Sequence, residues 1–345
     1  VYRRHTNFSM ESIQQTWNGT LADAGGSRAS STISRNGDLV HRLYLETSAI
    51  DTSGHNKGAR LIDNVEVEIG GQTIDKHYGH WLETWAELTE PNSSGFGSNT
   101  DTTGTLFQRM TGMGGTNGTS HTHHLFIPLR FWFCENYGLA LPLIALQYHE
   151  VKIILKTGSL GAGSVGGNVT LWADYIYLDT DERRRFAQVS HEYLITQVQH
   201  QSFSGVATNT LNFNHPVKEL IWTAYWDGSK HETPMPKNST YQLKLNGHDR
   251  FAARDRDYFT IAQVWQHHSG FGSVTAAHTH RHGIAVYSFA LKPEEHQPSG
   301  TCNFSRIDNA QLIQGGVGTD IRHVFAVNYN VLRIMSGMGG LAYSN

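Results

Sequence analysis

The sequence predicts an all-β protein of two tandem eight-stranded antiparallel jelly rolls with a few short helices, the first over residues 1–186 and the second over 187–345. Three observations predict it. Short segments of strand character dominate the chain, long Gly/Ser/Thr/Asn stretches join them, and five patterns of the first half recur in the same order in the second.

In the first half, strands are expected at 31–34, 39–45, 65–69, 124–133, 148–156 and 169–178. The clearest has Val65, Val67 and Ile69 alternating with Glu66 and Glu68 up to Gly71, the pattern of a half-buried strand ending at a glycine turn. One helix is expected where Trp81, Leu82, Trp85 and Leu88 fall at i, i+1, i+4 and i+7 and give a single apolar face. A second, short helix follows Thr180, which caps it, with Asp181 and Glu182 favourably placed in the first turn. The boundary between the halves lies near 185–190. Beyond it, strands are expected at 194–198, 217–226, 241–245, 284–291 and 323–334. The joining stretches 22–30, 92–120, 158–168, 227–240 and 267–283 are long, and loops beyond about 12–15 residues are uncommon unless functional or disordered.

The internal echoes tie the halves together. Tyr241, Leu243 and Leu245 repeat Val65, Val67 and Ile69 at an offset of 176 (241 − 65), again running into a glycine, Gly247. Asn36-Gly37-Asp38-Leu39 is echoed by Asn214-His215-Pro216-Val217 at 178 (214 − 36). Pro142, Tyr148 and Val151 align with Pro298, Phe304 and Ile307 at 156 (298 − 142), and Asp174-Tyr175-Ile176 with Asn328-Tyr329-Asn330 at 154 (328 − 174). Ile13-Gln14 matches Val198-Gln199 at 185 (198 − 13). A steadily falling offset is the signature of a duplicated domain whose first copy carries loop insertions.

Composition narrows the function. The net charge of −3 provides no basic field for phosphates, so direct nucleic-acid binding is not expected. No apolar run approaches the ~18 residues of a membrane span, so membrane insertion is not expected either. No signal peptide is visible, and the sequence starts at Val1 rather than Met. Charged residues make up 17%, below the usual ~25%, which is the composition of a surface partly covered by other subunits. Cys134 and Cys302 sit in apolar or strand-like contexts and read as reduced, packed thiols of a reducing compartment.

Candidate chemistry is sparse. The clusters His121-Thr122-His123-His124 and His278-Thr279-His280-Arg281-His282 resemble strand-borne metal ligands of cupin-type jelly rolls, but neither contains a carboxylate, and both read as solvated loops. Alternating Arg254, Asp255, Arg256 and Asp257, and the run Arg183-Arg184-Arg185, read as solvated faces. Ser336-Gly337-Met338-Gly339-Gly340 reads as a tight turn rather than a phosphate loop. Catalytic, metal and cofactor sites are therefore all expected to be absent. Of seven Asn-X-Ser/Thr triplets, those at Asn92, Asn117 and Asn238 fall in expected loops and are the candidate glycan sites. Loop aromatics such as Phe96 and Phe271 leave a carbohydrate-binding jelly roll as the alternative function, with a cupin-like metal protein behind it.

Four runs carry a resemblance: VYRRHTNF at 1–8, GLALPLIALQYHEV at 138–151, QPSGTCNFSRIDN at 297–309 and NYNVLRIMSGMGGLAY at 328–343. They closely resemble the major capsid proteins of nucleocytoplasmic large DNA viruses, such as those of algae and the iridoviruses. The resemblance spans nearly the whole chain apart from the long loops. It implies a double jelly roll with its barrels side by side, a homotrimeric pseudo-hexagonal capsomer, and capsomers tiling an icosahedral shell with their loops outward. It further implies neighbouring capsomers and minor capsid proteins as partners, no cofactor, and a place in the virion after assembly in the host cytoplasm. Members of the family usually carry a further segment before the position of Val1.

Overall fold

The computed structural model describes residues 5–21, 25–48, 55–91, 97–98, 104–117, 124–158, 169–224, 234–273, 282–318 and 320–344. The first barrel contains β1 (Phe8–Gln15), β2 (Arg28–Thr32), β3 (Leu39–Thr47), β4 (Ile62–Ile69), β5 (Gln72–Tyr78), β6 (Leu125–Pro128), β7 (Val151–Thr157) and β8 (Thr170–Leu178). The second contains β9 (His191–Ser202), β10 (Thr208–Leu211), β11 (Pro216–Thr223), β12 (Thr240–Leu245), β13 (His248–Asp249), β14 (Ile284–Ser288), β15 (Ala310–Gly315) and β16 (His323–Met335). A last strand, β17 (Met338–Leu341), folds back on β16.

Sheet order establishes the duplication. The first barrel pairs as β1-β8-β3-β6 and β2-β7-β4-β5, and the second as β9-β16-β11-β14 and β10-β15-β12-β13, the same order with every strand moved on by eight. All pairs within these four sheets are antiparallel, as a jelly roll requires.

Local chemistry explains the matching hairpins. The turns Gly70-Gly71, Asn246-Gly247 and Ser336-Gly337 each join two strands through two residues of positive φ (58° and 85°, 53° and 78°, 53° and 79°). That is the demand of a tight hairpin whose twist suits the strands, and Gly or Asn meets it at least cost. The SGMGG run is thus a hairpin turn, as its glycines suggest.

Register corrects the echoes. Tyr175 pairs with Val40 and Asn328 with Val217, and each register then breaks at a bulge in the same place, so β3 and β11 correspond at 177 (217 − 40) and β8 and β16 at 153 (328 − 175). Leu141–Pro142 pairs with β3 as Cys302–Asn303 pairs with β11, an offset of 161 (303 − 142) rather than 156. Ile13, opposite Ala173, matches Gln199, opposite Ala326, at 186 (199 − 13). The 176 offset stands. A one-residue slip reverses which face a side chain occupies, so these small changes decide what is inside.

Other expectations also shift. The strand expected over 124–133 stops at Pro128, and Trp132–Glu135 is a helical turn that buries Trp132 and Phe133 beside Phe131. A short apolar run does not distinguish strand from helix. The strand expected over 284–291 ends at Ser288. Asp179, not Thr180, is the N-cap of the helix Thr180–Gln188. The helix expected around Trp81 is α1 (Gly79–Thr89), with Trp81, Leu82 and Leu88 buried. It begins where no side chain fits: a Cβ on Gly79 would lie 2.1 Å from the carbonyl oxygens of Ala59 and Ile62. Gly79→Ala is therefore expected to destabilise the protein by about 1–3 kcal/mol, read as a lowered Tm, because the backbone must shift to admit the methyl group.

The barrels differ in how their sheets are covered. In the second barrel Leu220, Trp222, Ala285, Val324 and Ala326 fill its own core, while the alternate residues Ile221, Ile284, Val286, Phe325 and Val327 are buried in the core cluster of the first barrel. That sheet is dry on both faces. The matching sheet of the first barrel has an inner face of Leu43, Leu45, Leu171 and Ala173, and an outer face bearing half-buried Tyr44 and Trp172 and exposed Phe126.

Candidate functional site: the seam between the barrels

The seam is where the chain's unexpected polar chemistry lies. β5 and α1 of the first barrel lie against β9 and the doubly buried sheet of the second, with Trp81 5.2 Å and His80 5.5 Å from Phe325 between ring centroids. Two bonds between a backbone group and a side chain fix the approach. The Val198 N–H donates to Asp75 Oδ1 at 3.1 Å, and the Gln197 side chain donates to the Ile74 carbonyl at 2.5 Å.

Three histidines meet in this apolar wall. His80 comes from α1, His200 from β9 and His323 from β16. His200 Nε2 and His323 Nδ1 share a hydrogen bond of 3.0 Å, and His80 Nε2 lies 3.3 Å from Thr223 Oγ1. Burial holds all three imidazoles down at about 3, so they are neutral at pH 7.

A charged triad closes one end. His268 donates from Nε2 to Glu219 Oε2 at 2.8 Å and from Nδ1 to Glu294 Oε1 at 2.9 Å, with the histidine and Glu219 side chains fully buried. Burial alone would lower its pKa, but the two carboxylates outweigh it and raise it to about 9. The same segment clasps the end of α1. The N–H groups of Gly270 and Gly272 donate to the carbonyls of Leu88 and Glu87, and the Ser269 hydroxyl donates to the Thr89 carbonyl at 2.8 Å.

Between these features is a cavity of about 100 Å³ lined by Trp81, Trp85, Trp132, Lys218, His296 and Val327. Burial lowers Lys218 to about 8, and its ammonium donates to the Glu295 carbonyl at 2.9 Å above the Tyr329 ring. The seam's chemistry is cohesive: the bonds of Val198 to Asp75, Gln197 to Ile74, His80 to Thr223 and Ser269 to Thr89 join one barrel to the other, while the charged triad and Lys218 are held within the second.

The residues singled out from sequence lie elsewhere. His121, His123, His278, His280, Asn92 and Phe96 fall outside the described residues. His124 is exposed and contacts Glu46 at 3.0 Å, and His282 lies 3.3 Å from Asp257 and 2.9 Å from Thr260 Oγ1, so a distant carboxylate reaches each cluster. Among the described residues no group of three or more His, Cys, Asp or Glu is placed to hold a metal ion. Asn117 lies in a two-residue strand paired with Gly97–Ser98, not in a loop as expected. Asn238 is exposed in a turn at φ 67°. Phe271 is 38% exposed. Cys134 and Cys302 are free thiols, both pushed up by burial. Arg183 is an exposed helix residue, as read, but ties the helix to buried Asp38 at 2.9 Å.

Sequence reasoning missed the seam because Glu219, His268 and Glu294 are far apart in the chain and belong to residue types that read as solvated. One signal was available. Leu220-Ile221-Trp222 and Val324-Phe325-Ala326-Val327 are continuous apolar runs, the mark of a strand covered on both faces.

Comparison with known proteins agrees with this architecture. Residues 1–179 match the family described as major capsid protein N-terminus, and residues 182–315 match the large eukaryotic DNA virus major capsid protein family. The chain is 53% identical to the major capsid protein of Pyramimonas orientalis virus, over 100% of this chain and 93% of that one. It is 38% identical to that of Paramecium bursaria Chlorella virus 1, over 100% and 93%. The crystal structure of PBCV-1 VP54, fitted into a reconstruction of the virophage Sputnik, superposes with a TM-score of 0.81 at 36% identity, covering 100% of this chain and 99% of that one.

Proposed function

We infer the working role of this chain from one premise: it belongs to the major capsid proteins of large eukaryotic DNA viruses. It is a structural protein of the virion capsid and not an enzyme, and it works by associating with copies of itself in neighbouring capsomers. The finer reading is that three chains close into a pseudo-hexagonal capsomer and that capsomers tile an icosahedral shell. Minor capsid proteins bind that shell, and assembly takes place in the host cytoplasm. The observation that carries the trimer is the repeated sheet order. Three copies of a chain with two similar walls present six similar walls, so a threefold object fills a hexagonal lattice.

In this reading the first jelly roll is residues 1–186 and the second 187–345, divided within the exposed helix Thr180–Gln188. Asn238 is the favoured glycan site, since it is exposed in a turn. Native mass measurement at micromolar concentration is expected to give three times the 38.5 kDa chain, and electron micrographs hexagon-outlined particles. A strict monomer in every condition overturns the trimer.

A further inference from the structure

The two barrels present the same outer sheet, but among the described residues only one of them is covered. In the second barrel Ile221 is paired with Phe325 on one side and Val286 on the other; in the first, Tyr44 is paired with Trp172 on one side and Pro128 on the other. The coincident bulges make these trios structurally equivalent. Two residue pairs further along, and so on the same face, Phe126 opposite Glu46 matches Ile284 opposite Thr223. Ile221, Phe325 and Ile284 are fully buried in the core cluster of the first barrel, where Trp81 and His80 of α1 pack on the Phe325 ring. Tyr44 and Trp172, stacked at 6.4 Å with their planes 5° apart, and Phe126, 36% exposed, are an aromatic version of the same surface with no such cover among the described residues.

The covering element is duplicated as well. α1 lies between the fifth and sixth strands of the first barrel and carries Trp81 and Trp85 one turn apart. Between the fifth and sixth strands of the second barrel lies the helical segment Tyr258–Ala262 and Gln263–His267, with Ile261 and Trp265 one turn apart. Its inner side is anchored by buried Phe259 and Val264. Its outer side is apolar without need: Trp265 is 82% exposed, Ile261 47%, and Leu291, whose carbonyl oxygen lies 3.2 Å from His267 Nδ1 at the helix end, 76%. Large exposed apolar groups grouped in this way mark an interaction surface.

We propose that Ile261, Trp265 and Leu291 of one chain dock on the Tyr44–Trp172–Phe126 face of the next copy, repeating between chains the contact that joins the barrels within a chain. The contact is head-to-tail, so each copy offers one donor and one acceptor, and the assembly closes when the rotation per copy divides a full turn. This proposal rests on the self-association inferred above and specifies its surface. Both partners are copies of this chain, because the internal duplicate of the contact shows what the aromatic face is shaped to receive.

The test uses Trp172→Glu, which spoils the acceptor, and Trp265→Glu, which spoils the donor, each read by native mass and by Tm. Both variants are expected to keep a cooperative unfolding transition and to run as monomers where the wild type is trimeric. Mixed in equal amounts they are expected to form heterodimers that grow no further, since the pair holds one intact donor and one intact acceptor. If Trp172→Glu fails to fold, Phe126→Glu on the exposed margin of the same face takes its place. A monomeric wild type overturns the trimer reading itself. A trimeric wild type whose variants also remain trimeric, or monomeric variants that do not complement on mixing, overturns this surface alone.

Discussion

Replacement of His268 by alanine is expected to destabilise the folded chain by about 3–5 kcal/mol, because it leaves Glu219 as a buried carboxylate without its counter-charge. For a chain of 345 residues that corresponds to a Tm lowered by roughly 4–7 °C at pH 7. The imidazole lies between two carboxylates and supplies both of its protons to them. Its pKa is raised to about 9 from an ordinary value near 6.5. The stabilisation is therefore complete below about pH 6.5 and is lost as pH rises through about 9. Adding Glu219→Gln to the His268→Ala variant is expected to recover part of the loss, since the stranded charge is then gone. A Tm within 1 °C of the wild type for His268→Ala, with no flattening of the alkaline limb, would sink this account.

The histidine cluster of the seam gives the opposite pH dependence. His80, His200 and His323 have pKa values near 3 in the folded chain against about 6.5 when unfolded. The unfolded state binds protons first as the solution is acidified, so stability is full above pH 6.5 and falls continuously towards pH 3. The fall from 6.5 to about 3 on the wholly buried His80 sets an upper bound of about 5 kcal/mol for that residue, and the more accessible His200 and His323 add less. His80→Gln can still bond Thr223 but does not titrate. Its Tm is expected to decline less steeply than that of the wild type between pH 6.5 and 4. Parallel curves for the two proteins would show that His80 does not govern the acid response.

Much of the fold could be read from the residues, and the failures have physical reasons. β4 and β12 were legible because one face is wet and one dry, so their side chains alternate. β1 was less so: Phe8 and Met10 point outward, and the apolar alternation that should mark its core side is missing. β13 has two residues, His248 and Asp249, and no hydrophobic signal at all. The duplication was legible in outline and mostly mistaken by one residue, because short echoes fix order well and register poorly. The seam was the least legible part. Charged residues such as Lys218 and Glu219 lie buried beside Leu220 and Ile221, with partners, Glu295 and His268, that are distant in the chain.

The unequal covering of the two large sheets bears on how the chain is made. The half synthesised first has on its outer sheet a mixed surface of tyrosine, tryptophan and polar neighbours. The half that follows has an oily back formed by Ile221, Ile284, Phe325 and Val327, and would aggregate if produced alone. Vectorial synthesis gives that back a finished surface to land on as it leaves the ribosome, so the order of the two halves protects the chain from itself.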